Sequence, residues 1–235
     1  MLSVIIPCFN EEENIKNYKK ELIPAMETLT KDYEIIAVND GSSDHTVQEL
    51  ESLKKKIKQL KIVSYENNRG MGYALRQGIK KARGELTVFL DSDMTFHPSQ
   101  TKLLMERFNK GDVDCVIGSH FLEGGRLDKV PTYRIFLSKS VNIIYRILFG
   151  QKIKSISSIF RLYKTRDIQE MELISNGFNI NAEILFKLIK KKKRVVEVPV
   201  VLTTRVFGVS KLNTKKEIVN HIKLILNILK WKITR

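Results

Sequence analysis

Two aspartates one residue apart, Asp91 and Asp93, follow the apolar run Thr87-Val88-Phe89-Leu90. On an extended chain, side chains at i and i+2 point the same way, so both carboxylates can converge just past the end of a strand. Paired oxygen acids suit a hard divalent cation, Mg²⁺ or Mn²⁺, and that cation suits a phosphate-bearing substrate. A solvated acidic turn spells the same two letters, so the rest of the chain has to decide between them. Two further groups of polar residues follow apolar runs: Asn10-Glu11, then Asn39-Asp40-Gly41-Ser42.

These residues need elements that bring them together. Ser3-Val4-Ile5-Ile6-Pro7 reads as a buried strand closed by Pro7, which cannot donate to a ladder. Ile15, Tyr18, Leu22, Met26 and Leu29 then keep helical spacing in one helix, with a kink expected at Pro24. Further strands are expected at 34–38, 62–65, 87–90, 114–118 and 195–204, with an extended stretch at 156–163. Helices are expected after Ser43, from Gly72 to Arg83, around Leu103 to Phe108, and over 133–149, 181–191 and 215–235. Alternating strands and helices predict an α/β fold with a doubly wound, mostly parallel sheet. Ligands of such sheets collect outside the carboxyl ends of the strands, where Asp91 and Asp93 belong. Gly70-Met71-Gly72 lacks the third Gly or Ala of a dinucleotide fingerprint, since Leu75 stands there, and it follows the third strand. It reads as a loop that lets a helix pack closely.

Composition narrows the function. The chain has 235 residues, 43% of them hydrophobic, which fits one large domain and excludes disorder. Forty-one Lys and Arg against 26 Asp and Glu leave a net charge of +15, which favours an anionic partner. No apolar run approaches the ~20 residues that span a bilayer, and Met1 to Phe9 lacks the basic leader of a signal peptide. Cys8 and Cys115 stand far apart in apolar stretches, as free thiols of a reducing compartment would. The expected location is cytoplasmic.

Pro7-x-Phe9-Asn10-Glu11, Asn39-Asp40-Gly41-Ser42 and Asp91-x-Asp93 come in that order after the first, second and fourth strands. Together they resemble the inverting family 2 glycosyltransferases, whose A-type fold binds nucleotide sugars. Later come Gly118-Ser119-His120, Arg134-x-x-x-Ser138-x-x-x-Asn142, Ser158-x-Phe160-Arg161 and Asn181-Ala182-Glu183. Glu197-Val198-Pro199-Val200 and Arg205-x-x-Gly208-x-Ser210-Lys211 complete the series. The second half is similar to the dolichol-phosphate and polyprenyl-phosphate hexosyltransferases. The resemblance runs from residue 3 to about residue 225. Asn39 departs from the usual first acid of Asp-Asp-Gly-Ser, His120 from a common Arg, and Thr95 from a Gln or Ser.

The resemblance implies roles. Pro7, Asn10, Glu11, Asp40 and Ser92 would bind a GDP- or UDP-sugar, with Glu11 accepting from ribose hydroxyls and Asp40 from base or ribose. Asp91 and Asp93 would hold Mg²⁺ or Mn²⁺, and Arg205 and Lys211 would add positive charge to the leaving diphosphate. Arg134, Ser138 and His120 would take the phosphate of a lipid monophosphate acceptor. Residues 1–212 form the expected catalytic domain and 213–235 a basic amphipathic helix associating with an anionic membrane surface, with Trp231 as an interfacial ring. The protein would then be peripheral at the cytoplasmic membrane face. The helix at 133–149 has the same pattern, and packing on the catalytic domain is the plainer role for both. An alternative acceptor is a saccharide hydroxyl, which needs a carboxylate base such as Glu183. A non-enzymatic basic module is the other alternative. Nucleic acid is not an expected partner, because the basic residues lack interleaved exposed aromatics.

Overall fold

A computed structural model describes residues 1–128, 130, 132–205, 207 and 213–233, with positions 133, 134 and 233 described by their backbone alone. The strands are β1 (Leu2–Cys8), β2 (Tyr33–Asp40), β3 (Leu60–Tyr65), β4 (Leu86–Phe89), β5 (Cys115–Ser119), β6 (Arg126–Leu127), β7 (Arg161–Lys164), β8 (Val195–Pro199) and β9 (Val201–Leu202). The helices are α1 (Glu12–Lys16), α2 (Leu22–Leu29), α3 (Thr46–Lys54), α4 (Met71–Lys81), α5 (Thr101–Asn109), α6 (Thr132–Phe149), α7 (Thr165–Gln169), α8 (Ile180–Lys190) and α9 (Thr214–Ile233). Seven strands form one sheet in the order β3-β2-β1-β4-β7-β5-β8, and β6 pairs with β9 in a small second ladder.

Period-two alternation splits the sheet residues between two cores. Ile5, Ile36, Val38, Phe89, Ile117 and Tyr163 face α4, α6, α8 and the inner side of α9. Val4, Ile6, Ile35, Ala37, Val88 and Leu162 face α1, α2, α3 and α5. Each fully buried large aliphatic side chain contributes about 1.5–3 kcal/mol, so these two layers hold the strand ends in register.

Four expectations change. Pro7 does not close β1: it pairs with Val38 of β2 inside the strand. It is tolerated because β4 runs alongside β1 only as far as the Ile5–Phe89 pair, leaving one flank of Pro7 outside a ladder. The first helix is two helices, broken at 17–21, with no kink at Pro24. Pro24 lies in the first turn of α2, where backbone N–H groups have no intrahelical acceptor to lose. The extended stretch at 156–163 supplies β7, which runs antiparallel between β4 and β5 and makes the sheet mixed, though mostly parallel. The last expected strand is interrupted at Val200, whose buried side chain separates β8 from β9.

The C-terminal helix is present and docks on the domain. Leu224 and Ile228 are buried with Tyr145, Phe149 and Phe186. Trp231 stacks on Phe186 at 5.9 Å between ring centroids, with the Lys187 ammonium 4.9 Å from its own ring. The expected interfacial ring is therefore half-buried against the domain, held by an aromatic partner and a cation. No described helix is long and apolar enough to cross a membrane.

Candidate active site

The carboxyl ends of β1, β2 and β4 open into a cleft of about 290 Å³ lined by Pro7, Glu11, Asp40, Asp91, Ser92, Asp93 and Arg205, among others. At one end lies a sheltered ion cluster. Arg205 donates from Nε to Asp93 Oδ2 at 2.8 Å and from Nη2 to Glu11 Oε1 at 3.0 Å. Exposures of only 19% for the arginine side chain, 11% for Asp93 and 6% for Glu11 keep water from screening these pairs. Desolvation opposes the arginine's charge, but Asp93 and Glu11 outweigh it and its pKa rises. Desolvation also raises Glu11, with Arg205 and Asn14 pulling the other way.

The aspartates sit on a tight turn. Leu90 N–H donates to Ile5 O at 3.1 Å, continuing β4 by one residue, and Met94 then takes φ 53°. Thr95 ties both carboxylates: its N–H donates to Asp93 Oδ1 at 3.1 Å and its hydroxyl to Asp91 Oδ2 at 3.3 Å. Thr203 N–H in turn donates to Thr95 O at 2.9 Å, docking the segment that carries Arg205 beside β4. Desolvation and the neighbouring Asp93 push Asp91 up to about 8. Two acids held this closely resist joint ionisation unless a cation joins them.

This donor set fits a divalent metal. All the donor atoms are carboxylate oxygens, as Mg²⁺ and Mn²⁺ prefer. Among the described residues, no group of three or more His, Cys, Asp or Glu forms a complete metal cage. Two protein carboxylates with the remaining positions left to substrate phosphates is the usual arrangement for Mg²⁺.

Asp40 organises the other end. Its Oδ1 accepts Arg69 N–H at 2.8 Å, and its Oδ2 accepts Gly70 N–H at 2.8 Å and Asn68 Nδ2 at 3.0 Å. Desolvation nonetheless raises its pKa. A Cβ on Gly72 would lie 2.6 Å from Ser175 O, so this glycine lets α4 abut the 175–177 backbone, as expected of the loop. Asn10 does not line the cleft: Ser43 N–H donates to its Oδ1 at 2.8 Å, pinning the β1 loop to the β2 loop from a positive φ of 55°. Asn39 is likewise a turn residue, accepting Ser42 N–H at 3.1 Å and donating to Ser64 Oγ at 2.8 Å.

Two of the residues assigned to the acceptor, His120 and Ser138, lie elsewhere, and neither lines this cleft. His120 packs on Phe121 at 4.1 Å and Phe96 at 6.2 Å, and burial lowers its pKa to about 4, so its ring is neutral at pH 7. Ser138 Oγ lies 3.4 Å from Ser157 Oγ on one face of α6, and Asn142 on that face accepts Ser157 N–H at 2.9 Å. The side chain of Arg134 and all of Lys211 lie outside the described residues.

Several motif residues turn out to be scaffold. Arg161 is fully buried and donates to the carbonyls of Asn181, Ser155 and Ile156. Glu197 accepts the N–H groups of Lys154 and Ser155, both at 2.8 Å. Glu183, the base of the alternative reading, is fully buried, pairs with Lys187 at 2.8 Å and accepts Ser175 N–H at 2.8 Å. It holds the 174–176 loop and does not face the cleft. Conversely, Asn68, Met71, Phe178, Lys216 and Glu217 line the cleft without having been singled out. Only the Gly70-Met71-Gly72 spacing drew attention to any of them.

Comparisons with known proteins bear on the family and the fold. The dolichol-phosphate mannosyltransferase of Pyrococcus furiosus is 34% identical over 233 residues, 98% of this chain but 64% of that protein's length. The chain therefore spans just under two thirds of that relative. The dolichol-phosphate mannosyltransferase of Saccharomyces cerevisiae is 31% identical over 220 residues, 91% of this chain and 81% of its own length. In fold, the chain matches glucosyl-3-phosphoglycerate synthase from Mycobacterium tuberculosis, solved with Mn²⁺, UDP and glucosyl-3-phosphoglycerate. The TM-score is 0.68 at 17% identity, over 97% of this chain and 78% of that one. The expected A-type architecture, with its mostly parallel sheet, is borne out. Residues 3–171 match the model described as glycosyl transferase family 2, and the chain belongs to that family.

Proposed function

We propose that this glycosyltransferase moves a hexose of mannose or glucose type, with inversion, from a GDP- or UDP-sugar to a polyprenyl or dolichyl monophosphate, in a metal-dependent reaction. The observation that carries the reading is the Arg205–Asp93–Glu11 cluster beside Asp91, at the mouth of the strands that also present Asp40. One end of the cleft concentrates charge for a diphosphate, and the other presents polar and apolar walls for a nucleoside. The two dolichol-phosphate mannosyltransferase relatives support the acceptor class.

Asp91 and Asp93 are the residues that would hold the cation, which supplies positive charge to the departing diphosphate. Arg205 adds a guanidinium whose planar fork is already fixed by two carboxylates, so little reorganisation is needed when charge develops there. Lys211 is assigned to the same charge. Glu11 and Asp40 hold ribose and base, with Ser92 and the Pro7 wall between them. The acceptor needs no strong general base, since a phosphate monoester with a second pKa of ~6 is mostly dianionic at neutral pH. Its oxygen attacks the anomeric carbon in line, and the sugar–oxygen bond breaks with its electron pair going to the nucleoside diphosphate.

Arg134 and Ser138 on α6 are the proposed acceptor-phosphate ligands, and a neutral His120 would contribute a hydrogen bond and no charge. Residues 1–212 carry the catalytic groups, and 213–235 serve as the membrane-associating helix through its outer side, while its first turn lines the cleft and its inner side packs on the domain. The outer sides of α6 and α9 support contact with an anionic membrane at its cytoplasmic face: Ile147 is 79% exposed and Ile222 52%.

The test supplies labelled GDP-mannose and UDP-glucose with either a short-chain polyprenyl phosphate or oligosaccharide acceptors. Label should pass to the lipid phosphate, and only with Mg²⁺ or Mn²⁺ present. Transfer to saccharide hydroxyls alone would overturn the acceptor assignment.

A further inference from the structure

The first turn of α9 forms part of the cleft wall, although the rest of that helix lies against α6 and α8. Asn213, Lys216 and Glu217 line the cleft together with Asp40, Asn68 and Phe178. The placement is built. Glu217 Oε2 accepts Phe178 N–H at 2.8 Å, and its Oε1 accepts Asn220 Nδ2 at 3.1 Å. A Cβ on Gly177 would meet Asn220 Nδ2 at 2.4 Å and Glu217 Oε2 at 2.5 Å, so a glycine there lets α9 close on the 174–178 loop. Asn179 Nδ2 adds a bond to Asn220 O at 3.2 Å. The turn is therefore fixed beside Asp40, and the Lys216 charge acts on the Asp40 carboxylate.

We propose that Lys216 is a specificity-determining residue that donates to the keto oxygen of the nucleobase while Asp40 accepts from the adjacent ring N–H. The inference rests on the proposed nucleotide-sugar donor. The chemistry of the edge selects the base. An ammonium has donors only, and an ionised carboxylate has acceptors only. A donor beside an acceptor matches the C=O and N–H edge of guanine or uracil. With the ribose and diphosphate fixing which way the base faces, adenine and cytosine present an amino group at the keto position and an unprotonated ring nitrogen beside it, which opposes donor to donor and acceptor to acceptor. Sites that use polar groups in this way discriminate strongly, because the wrong ligand leaves them unpaired. Asp40 Oδ1 accepts one backbone N–H and retains capacity for a second donor. The diphosphate belongs at the opposite end, with Asp91, Asp93 and Arg205, so Lys216 stands by the base.

Isothermal titration of the full chain with GDP, UDP, ADP and CDP in Mn²⁺ tests this. The wild type should bind its preferred keto-base nucleotide at least about tenfold more tightly than ADP or CDP. Lys216→Ala should weaken that nucleotide about tenfold and leave ADP and CDP within twofold, collapsing the ratio. Lys216→Arg, which keeps a donor, should retain part of the ratio. Because Lys216 is exposed, its replacement leaves the core intact, and an unchanged circular dichroism spectrum checks this. Equal weakening of all four nucleotides would make Lys216 a phosphate or general charge contact and overturn the inference alone, as would no change at all. Failure of the wild type to bind any nucleoside diphosphate would overturn the proposed donor as well.

Discussion

At the cleft, the charged groups are held by one another and by backbone: Arg205 bridges two carboxylates, Thr95 ties both Asp91 and Asp93, and Asp40 accepts three hydrogen bonds. The outer side of α6 and α9 is the reverse, with Phe136, Ile143, Ile147, Ile222 and Leu226 exposed among lysines and arginines. The same two helices bury Tyr145, Leu224 and Ile228 on their inner sides. A preorganised polar cleft suits charge that develops in a transition state. A broad apolar surface with a basic fringe suits a ligand that arrives from a lipid layer. If the two regions divide the work in this way, damage to one should spare the function of the other.

The largest effect is expected at the metal site. Asp93→Asn keeps the shape but removes a charge, and turnover should fall at least about 100-fold, a loss of several kcal/mol from the transition state. Binding to anionic vesicles should not change, and vesicle sedimentation checks that. Ile147→Asp with Ile222→Asp is the converse. Sedimentation should show at least about 30-fold weaker vesicle binding, since each lost isoleucine removes about 1.5–3 kcal/mol of burial. Turnover on a short-chain, detergent-soluble acceptor should stay within twofold. A matched loss of turnover would mean that the outer face supports the cleft itself.

Arg134→Ala addresses the boundary between the regions. Acceptor KM should rise about tenfold while nucleotide affinity holds, and Arg134→Lys should rescue only partly, because a point charge cannot pair two phosphate oxygens as the fork does. Equal losses for both ligands, measured by separate titrations, would remove Arg134 from the acceptor site.

The smallest effect concerns the docking of α9. Tyr145 Oη lies 2.9 Å from His221 Nδ1, and burial lowers the histidine to about 4. A histidine depressed in the folded state stabilises fully above its unfolded pKa of about 6.5, and that stability is lost as the pH falls towards 4. Between pH 7 and pH 5 the loss should be on the order of 1–2 kcal/mol. Chemical denaturation followed by the fluorescence of Trp231, the only tryptophan, is compared between the wild type and His221→Gln. The difference between the two proteins isolates the His221 share from that of His120, also lowered to about 4, and from that of Asp91, whose raised pKa acts in the opposite direction.

Most of the fold could be read from the sequence because β1, β2 and β5 each carry a central apolar run, Val4-Ile5-Ile6, Ile35-Ile36-Ala37-Val38 and Cys115-Val116-Ile117, whose period-two faces both need covering. The convergence of Asp91 and Asp93 was readable for the same reason, since a strand end aims i and i+2 side chains together. The antiparallel direction of β7 was not, because an extended run carries no sign of which way its neighbours run. Pro24 misled because proline marks a helix start as readily as a kink. Glu183 looked like chemistry and Glu197 stood in a family motif, yet both hold loop amides, a role that spacing cannot distinguish from catalysis. Lys216 was invisible for the opposite reason. An exposed lysine in a basic helix resembles every other, and only the bonds from Glu217 and Asn220 to the 177–179 segment bring it to Asp40.

The most direct measurement is nucleoside diphosphate binding with and without metal. Calorimetry on the wild type should show GDP or UDP binding at least tenfold more tightly in Mn²⁺ or Mg²⁺ than in EDTA, with Asp93→Asn abolishing the difference. Equal affinity in EDTA and in metal would contradict the assignment of Asp91 and Asp93 as the site of a cation shared with the diphosphate.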